Sequence, residues 1–179
     1  MNLKQIKTLL SLGENQRVEF KSSIRNLEEL GRTVCGFLNS AGGYLICGVS
    51  ESEGVIGIEN SHDAVTKLER YLLEHISPKA FVAVQAEELD KKLVISIEVP
   101  AGSDVPYAFK DVIYIRTGEL TQVAKSQTIR DIVMRHQVEP ERWERRFSFA
   151  DIERDLDVQE IRTTIAEAGN VRRVLFRDA

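Results

Sequence analysis

A chain of 179 residues has room for one ordinary domain and a short appendage. With 42% hydrophobic and 29% charged residues its composition is that of a soluble globular protein; no run approaches the roughly 18 apolar residues of a membrane span, and Met1–Ile6 lacks the apolar core of a signal peptide. A formal net charge of −4 argues against general electrostatic adhesion to nucleic acid and confines any phosphate contact to a local basic face.

Leu3, Ile6, Leu9 and Leu10 fall at helical spacing, with Gly13 as the stop. Arg17 to Ser22 alternates charged and apolar, which predicts a half-buried strand with Val18 and Phe20 on one face and Arg17, Glu19 and Lys21 on the other. Leu27, Leu30, Val34, Phe37 and Leu38 make the stripe of a helix over 27–39, ended by Ser40-Ala41-Gly42-Gly43. Tyr44 to Val49 is nearly all apolar, as in a strand covered on both faces, and Val55 to Ile58 is its hairpin return. A helix over 62–76 uses Val65, Leu68, Leu72 and Ile76. Strands are expected at Phe81–Glu87 and Leu93–Val99, the latter with Leu93, Ile95, Ile97 and Val99 on one face. A short strand at Val112–Arg116 and a helix at Gln127–His136 close the domain, with Tyr107, Phe109 and Tyr114 as core or cross-strand residues. Helices interleaved with strands and hairpins predict an α/β (α+β) domain, a mixed sheet with flanking helices, over residues 1–138.

Beyond Val138 the composition shifts. Glu139 to Arg146 reads as a charged linker, Asp151 to Asn170 as a helical segment and Val171 to Phe176 as a strand-like run close to the end. Residues 139–179 are therefore expected to be a linker and the start of a following segment of a longer protein. Arg142, Arg145, Arg146, Arg172 and Arg173 are interleaved with Glu141 and Glu144, which reads as a solvated charged face, and Trp143 as an anchor for a flanking segment. Cys35 and Cys47 lie among apolar neighbours and read as small buried hydrophobes rather than ligands or a disulfide pair; a reducing, cytoplasmic location is expected. His62, His75 and His136 show no metal-ligand spacing.

Two segments carry chemistry. In Glu14-Asn15-Gln16-Arg17-Val18-Glu19-Phe20-Lys21, two acids with a lysine beside them suit Mg²⁺ or Mn²⁺ and a phosphate. Positions five apart on a strand face opposite ways, so Glu14 must lie in the turn before the strand to converge with Glu19; Gly13 supplies the bend. The same residues also read as a polar strand face with a Glu–Lys ion pair. In the second segment, Asn39 to Val49, the paired glycines Gly42 and Gly43 suit either a close approach by a base or phosphate, or simply a tight turn needing positive φ. It is not a P-loop, for no Gly-Lys-Ser/Thr follows.

Glu14…Glu19-Phe20-Lys21, then Phe37-Leu38-Asn39-Ser40-Ala41-Gly42-Gly43, Tyr44-Leu45-Ile46-Cys47-Gly48-Val49 and Val55-Ile56-Gly57, with Tyr114-Ile115-Arg116-Thr117-Gly118 downstream, resemble the Schlafen/AlbA-like domain over roughly residues 5–136. The resemblance implies a mixed α/β fold and nucleic acid, DNA or RNA, as partner, with Lys21, Asn39, Gly42, Gly43 and Arg116 as the residues that would meet it. Bacterial and archaeal domains of this kind occur in larger transcriptional-regulator-like proteins, often ahead of an ATPase-like module, where ATP binding would belong. In animal Schlafen proteins related domains cleave structured RNA through three acids. By motif position Glu14 and Glu19 match the first two, while Ser50 stands directly after the valine where the third is expected, with Glu51 and Glu53 following. The resemblance thus implies a catalytic and metal set of Glu14, Glu19 and Glu51 with Lys21 assisting the phosphate, and Ser50 tilts the reading from nuclease to binding module. A metal-dependent endoribonuclease is the alternative. A protein-interaction or homo-oligomerisation domain is the third, motivated by the acidic balance and the apolar tail. The deciding geometry is whether Glu14, Glu19 and a residue of 50–53 converge within about 5 Å, close enough to share a metal.

Overall fold

Leucine and isoleucine at helical spacing make α1 (Leu3–Leu12), which buries Ile6 fully and Leu9 and Leu10 in part before Gly13, at φ +72°, ends it. The computed structural model describes residues 3–58 and 61–138, together with Thr163. After α1 come β1 (Val18–Lys21), α2 (Leu27–Leu38), β2 (Gly43–Cys47), β3 (Val49–Ser50) and β4 (Gly54–Val55). Then follow α3 (Ser61–His75), β5 (Ile76–Ser77), β6 (Ala83–Leu89), β7 (Lys92–Val99), β8 (Ala108–Phe109), β9 (Tyr114–Thr117), β10 (Leu120–Val123) and α4 (Ser126–Val138). The chain separates into two units, Met1–Pro140 and Glu141–Ala179. The features expected at 139–146, 151–170 and 171–176, the arginines and Trp143 among them, fall outside the described residues.

The main sheet has the order β1-β2-β7-β6. β1 runs parallel to β2, Val18 opposite Tyr44 and Lys21 opposite Cys47, while β7 is antiparallel to both β2 and β6. The α/β class with a mixed sheet and flanking helices is therefore present. Its central strands are buried on both faces. Toward α2 and α3, Leu45, Cys47, Ile95, Ile97 and Val99 pack with Leu30, Val34, Phe37, Leu68 and Leu72. Toward α1, Ile46 and Val94 pack with Val18, Phe20 and Ile6. Each such large apolar side chain gains roughly 1.5–3 kcal/mol from leaving water, and the sheet is the wall they share.

α2 starts where it does because Asn26 caps it, its Oδ1 accepting from the Glu29 N–H at 3.1 Å, with Glu28 and Glu29 in the positive first turn. Its other end turns sharply into β2. Gly42 sits at φ +71°, and a Cβ there would lie 2.7 Å from the Val99 carbonyl oxygen and the Ala101 nitrogen; one on Gly43 would meet the Phe37 ring at 2.5 Å. Both glycines are buried, and the turn needs them for backbone clearance.

Several sequence expectations shift in register. The long apolar strand ends at Cys47 because Gly48, at φ +90°, bends the chain, and the return after it is only the two residues of β4. Phe81, expected in a strand, lies before β6 and is 96% exposed. β7 has no single apolar face: Leu93 is exposed while Val94 is buried, since a central strand is covered on both sides. Among the described residues no helix is long and apolar enough to cross a membrane.

Cys35 and Cys47 are buried free thiols, as expected. Burial pushes their thiols up, to about 11 for Cys35 and about 12 for Cys47. At pH 8 neither is a thiolate, so iodoacetamide is expected to leave the native protein unlabelled and to alkylate two sites once guanidinium unfolds it. Labelling of the native protein at the rate of a free thiol would contradict the burial.

Candidate functional site

β1 is an edge strand, and half its backbone groups face away from β2. In a water-exposed edge these would invite another strand; here the preceding turn folds back over them. Asn15 exchanges backbone hydrogen bonds with Val18 at 3.0 and 3.3 Å. The Glu14 carboxylate accepts from the Phe20 N–H at 2.7 Å, and Glu51, on the turn between β3 and β4, accepts from the Glu14 N–H at 3.0 Å. Glu14 does lie in the turn ahead of the strand, and Gly13 makes the bend.

On the strand itself, Glu19 and Lys21 share a face as the pleat requires. Lys21 Nζ lies 2.8 Å from Glu19 and 2.6 Å from Glu29. Burial lowers the lysine's affinity for its proton, but the hydrogen bonds and charges of the two carboxylates outweigh it, so its pKa stands above the usual lysine value. The other oxygen of Glu19 meets Arg116 Nη1 at 2.6 Å. Arg116 is buried, lies over the Phe37 ring at 4.7 Å, and donates to the carbonyls of Gln16 (3.0 Å), Asn15 (2.9 Å) and Val18 (3.3 Å). One planar guanidinium thus fastens β9 to the turn and edge of β1.

A cleft of about 560 Å³ opens beside this network, lined by Glu14, Lys21, Glu29, Ser50, Glu51 and Ser52 among others. The expected site is therefore assembled in part. Glu14, Lys21 and Glu51 line one cleft; Glu19 does not line it, being held between Lys21 and Arg116. Among the described residues no group of three or more His, Cys, Asp or Glu side chains is arranged to hold a metal ion. The donors present do not fit Mg²⁺ or Mn²⁺ as a three-acid site: one Glu14 oxygen and one Glu51 oxygen already accept backbone N–H groups, and Glu19 is neutralised by two cations. Ser50, where a third acid would stand, hydrogen-bonds Ser52 at 3.1 Å.

The residues expected to meet nucleic acid turn inward. Asn39 donates to the carbonyls of Tyr107 (2.7 Å) and Tyr114 (2.8 Å) and accepts from the Tyr107 N–H (2.7 Å), clipping the end of α2 to the segment that carries β8 and β9. Gly42 and Gly43 are packed against backbone and the Phe37 ring, and every Arg116 donor atom faces protein. Of that set Lys21 lines the acidic cleft, and it is doubly ion-paired. Glu29 is the residue the sequence reading missed. Its signal was the cap spacing Asn26-x-x-Glu29, which fixes it in the first turn of α2 beside the end of β1.

Comparison with known proteins agrees with this architecture. No curated protein matches the chain. Among solved structures, the DIP2311 protein of Corynebacterium diphtheriae superposes with a TM-score of 0.52 at 21% identity, over 68% of this chain and 29% of that one. The N-terminal domain of a protein from Nitrosomonas europaea, named for its relation to the ATP-dependent DNA helicase RecG, superposes with a TM-score of 0.53 at 20% identity, over 69% of this chain and 88% of that domain. At such identities the shared property is the fold. A family model described as Schlafen, AlbA_2 matches residues 14–125, from the acid that caps the edge of β1 to the residue before α4. Covering more than half of the sequence, that match shows that the chain belongs to the Schlafen, AlbA_2 family.

Proposed function

We propose that this domain is a nucleic-acid-binding module of a transcriptional-regulator-like protein, and that it binds rather than cleaves. Membership of a nucleic-acid-related family supports the first half, as does the shared fold with a protein named after a DNA helicase. One observation carries the second half: Glu19, the acid at the centre of the motif, is held by Lys21 at 2.8 Å and Arg116 at 2.6 Å. A carboxylate already neutralised by two cations has little left to offer a metal or a water nucleophile. The alternative, a metal-dependent endoribonuclease, keeps in its favour the cleft where Glu14, Glu51 and Lys21 meet.

Fluorescence anisotropy with RNA and DNA oligonucleotides at low salt tests the reading. Dissociation constants of about 10⁻⁴–10⁻⁶ M, weakening steeply with salt, are expected. In parallel, transfer RNA incubated with Mn²⁺ should stay intact, with the wild type indistinguishable from Glu19→Ala. Absence of binding at high micromolar protein would sink the module reading, and cleavage abolished by Glu19→Ala would replace it with the nuclease.

A further inference from the structure

Four segments distant in sequence enclose a groove of about 800 Å³ outside the acidic cleft: the stretch from Ser22 to Leu27 after β1, Ile56–Ile58 after β4, the start of α3, and the tip of the β6–β7 hairpin. Four cationic side chains line it, Arg25, Lys67, Lys91 and Lys92, and no Asp or Glu does. All four are exposed, and none is ion-paired among the described residues. Of the acids near them in sequence, Glu28 is engaged with Arg32 and Lys110, Glu29 with Lys21, and Asp90 with Lys7, while Asp63 and Glu69 flank Lys67 on α3 without lining the groove. Lys92 donates to the Val55 carbonyl at 2.8 Å, which fixes its ammonium at the rim. A chain of formal charge −4 thus gathers four cations without an ion pair in one concave place, where their fields add over low-dielectric walls.

The hairpin tip bears on this. Asp90 and Lys91 form a two-residue turn with φ of 51° and 61°, a geometry that glycine or asparagine fits best. The chain holds a lysine there nonetheless, and its side chain lines the groove. The floor is aliphatic, with Ile24, Ile56 and Leu93, and no aromatic ring lines it.

We propose that this groove binds the sugar–phosphate backbone of a single nucleic-acid strand, an assignment that rests on the nucleic-acid reading above and places its contact surface. Rim cations suit phosphates, and an aliphatic floor suits the sugars and base edges that an unpaired strand turns inward; a duplex shows such a concavity only its phosphates. Without a stacking ring the contact is indifferent to sequence. Ser22 lines both the groove and the acidic cleft, so the carboxylates of Glu14 and Glu51 stand at one end and repel further phosphates, which keeps the footprint short.

The test is a salt titration of the whole chain with labelled 12-nucleotide U and dT strands and a duplex of equal length. Four phosphate contacts predict a slope near −3 on logarithmic axes for a single strand, a loss of about 50-fold between 50 and 200 mM salt. Arg25→Glu with Lys67→Glu should lower affinity about tenfold or more and flatten the slope. Lys91→Gly should weaken binding a few-fold without lowering Tm, because glycine takes the turn's φ freely. That variant separates lost contact from lost fold, and Arg130→Glu on α4, outside the groove, should bind as wild type. If the groove variants bind like wild type, the groove assignment falls while the nucleic-acid reading stands. Preference for the duplex overturns the single-strand occupant, and no binding by the wild type to any probe overturns both readings. The U and dT arms tell RNA from DNA.

Discussion

Arg116→Ala is expected to lower the stability of the domain by about 3–5 kcal/mol, a fall in Tm of about 10–15 °C. The guanidinium has no exposed surface, and its removal leaves Glu19, only 12% exposed, without its closest cation. It also leaves the carbonyls of Asn15, Gln16 and Val18 short of a donor. Arg116→Lys should recover little, since one ammonium cannot reach three carbonyls and a carboxylate at once. Pairing Arg116→Met with Glu19→Gln should cost less than Arg116→Met alone, because no buried charge is then left unmatched. Thermal melts of the four variants read the whole pattern. A Tm for Arg116→Ala within about 2 °C of wild type would mean the clamp holds nothing.

Asn39→Ala should cost about 3 kcal/mol, by stranding the Tyr114 carbonyl and the Tyr107 N–H and leaving the Tyr107 carbonyl only the weak thiol donor of Cys35. Asn39→Asp should be worse. It keeps the acceptor for the Tyr107 N–H but turns a charged oxygen toward the carbonyls of Tyr107 and Tyr114. Urea denaturation gives the ranking, and affinity for nucleic acid per folded molecule should stay unchanged in both variants. Weaker binding at full foldedness would return Asn39 to the contact surface.

Both residues show what the sequence disclosed and what it withheld. Local features were legible: the α1 stripe of Ile6, Leu9 and Leu10, the β1 pleat that sets Glu19 beside Lys21, and the turn that carries Glu14. Each follows from a period or a bend a few residues long. Asn39 and Arg116 were equally visible as polar residues shortly before glycine turns, yet such a group looks the same whether it faces solvent or a carbonyl from elsewhere in the chain. Phe81 reads as strand by side-chain type, but nothing covers it and the ladder starts at Ala83. The basic groove was illegible for a different reason: its four cations come from three stretches that only the fold brings together, and the net charge of the chain masks them.

The fastening of β1 also sets an order in time. Arg116 donates to Val18 across 98 positions of sequence and to Asn15 across 101. At roughly 5–20 residues per second, a ribosome takes about 5–20 s to make that stretch. Throughout that interval the nascent strand has its edge guarded only by Glu14 and Asn15, and the carboxylate of Glu19 lacks its arginine. A messenger cut or a stalled ribosome before codon 116 therefore releases a chain whose β1 edge has only its local cap and whose Glu19 is short of a cation, a substrate for chaperones and proteases rather than a smaller working domain.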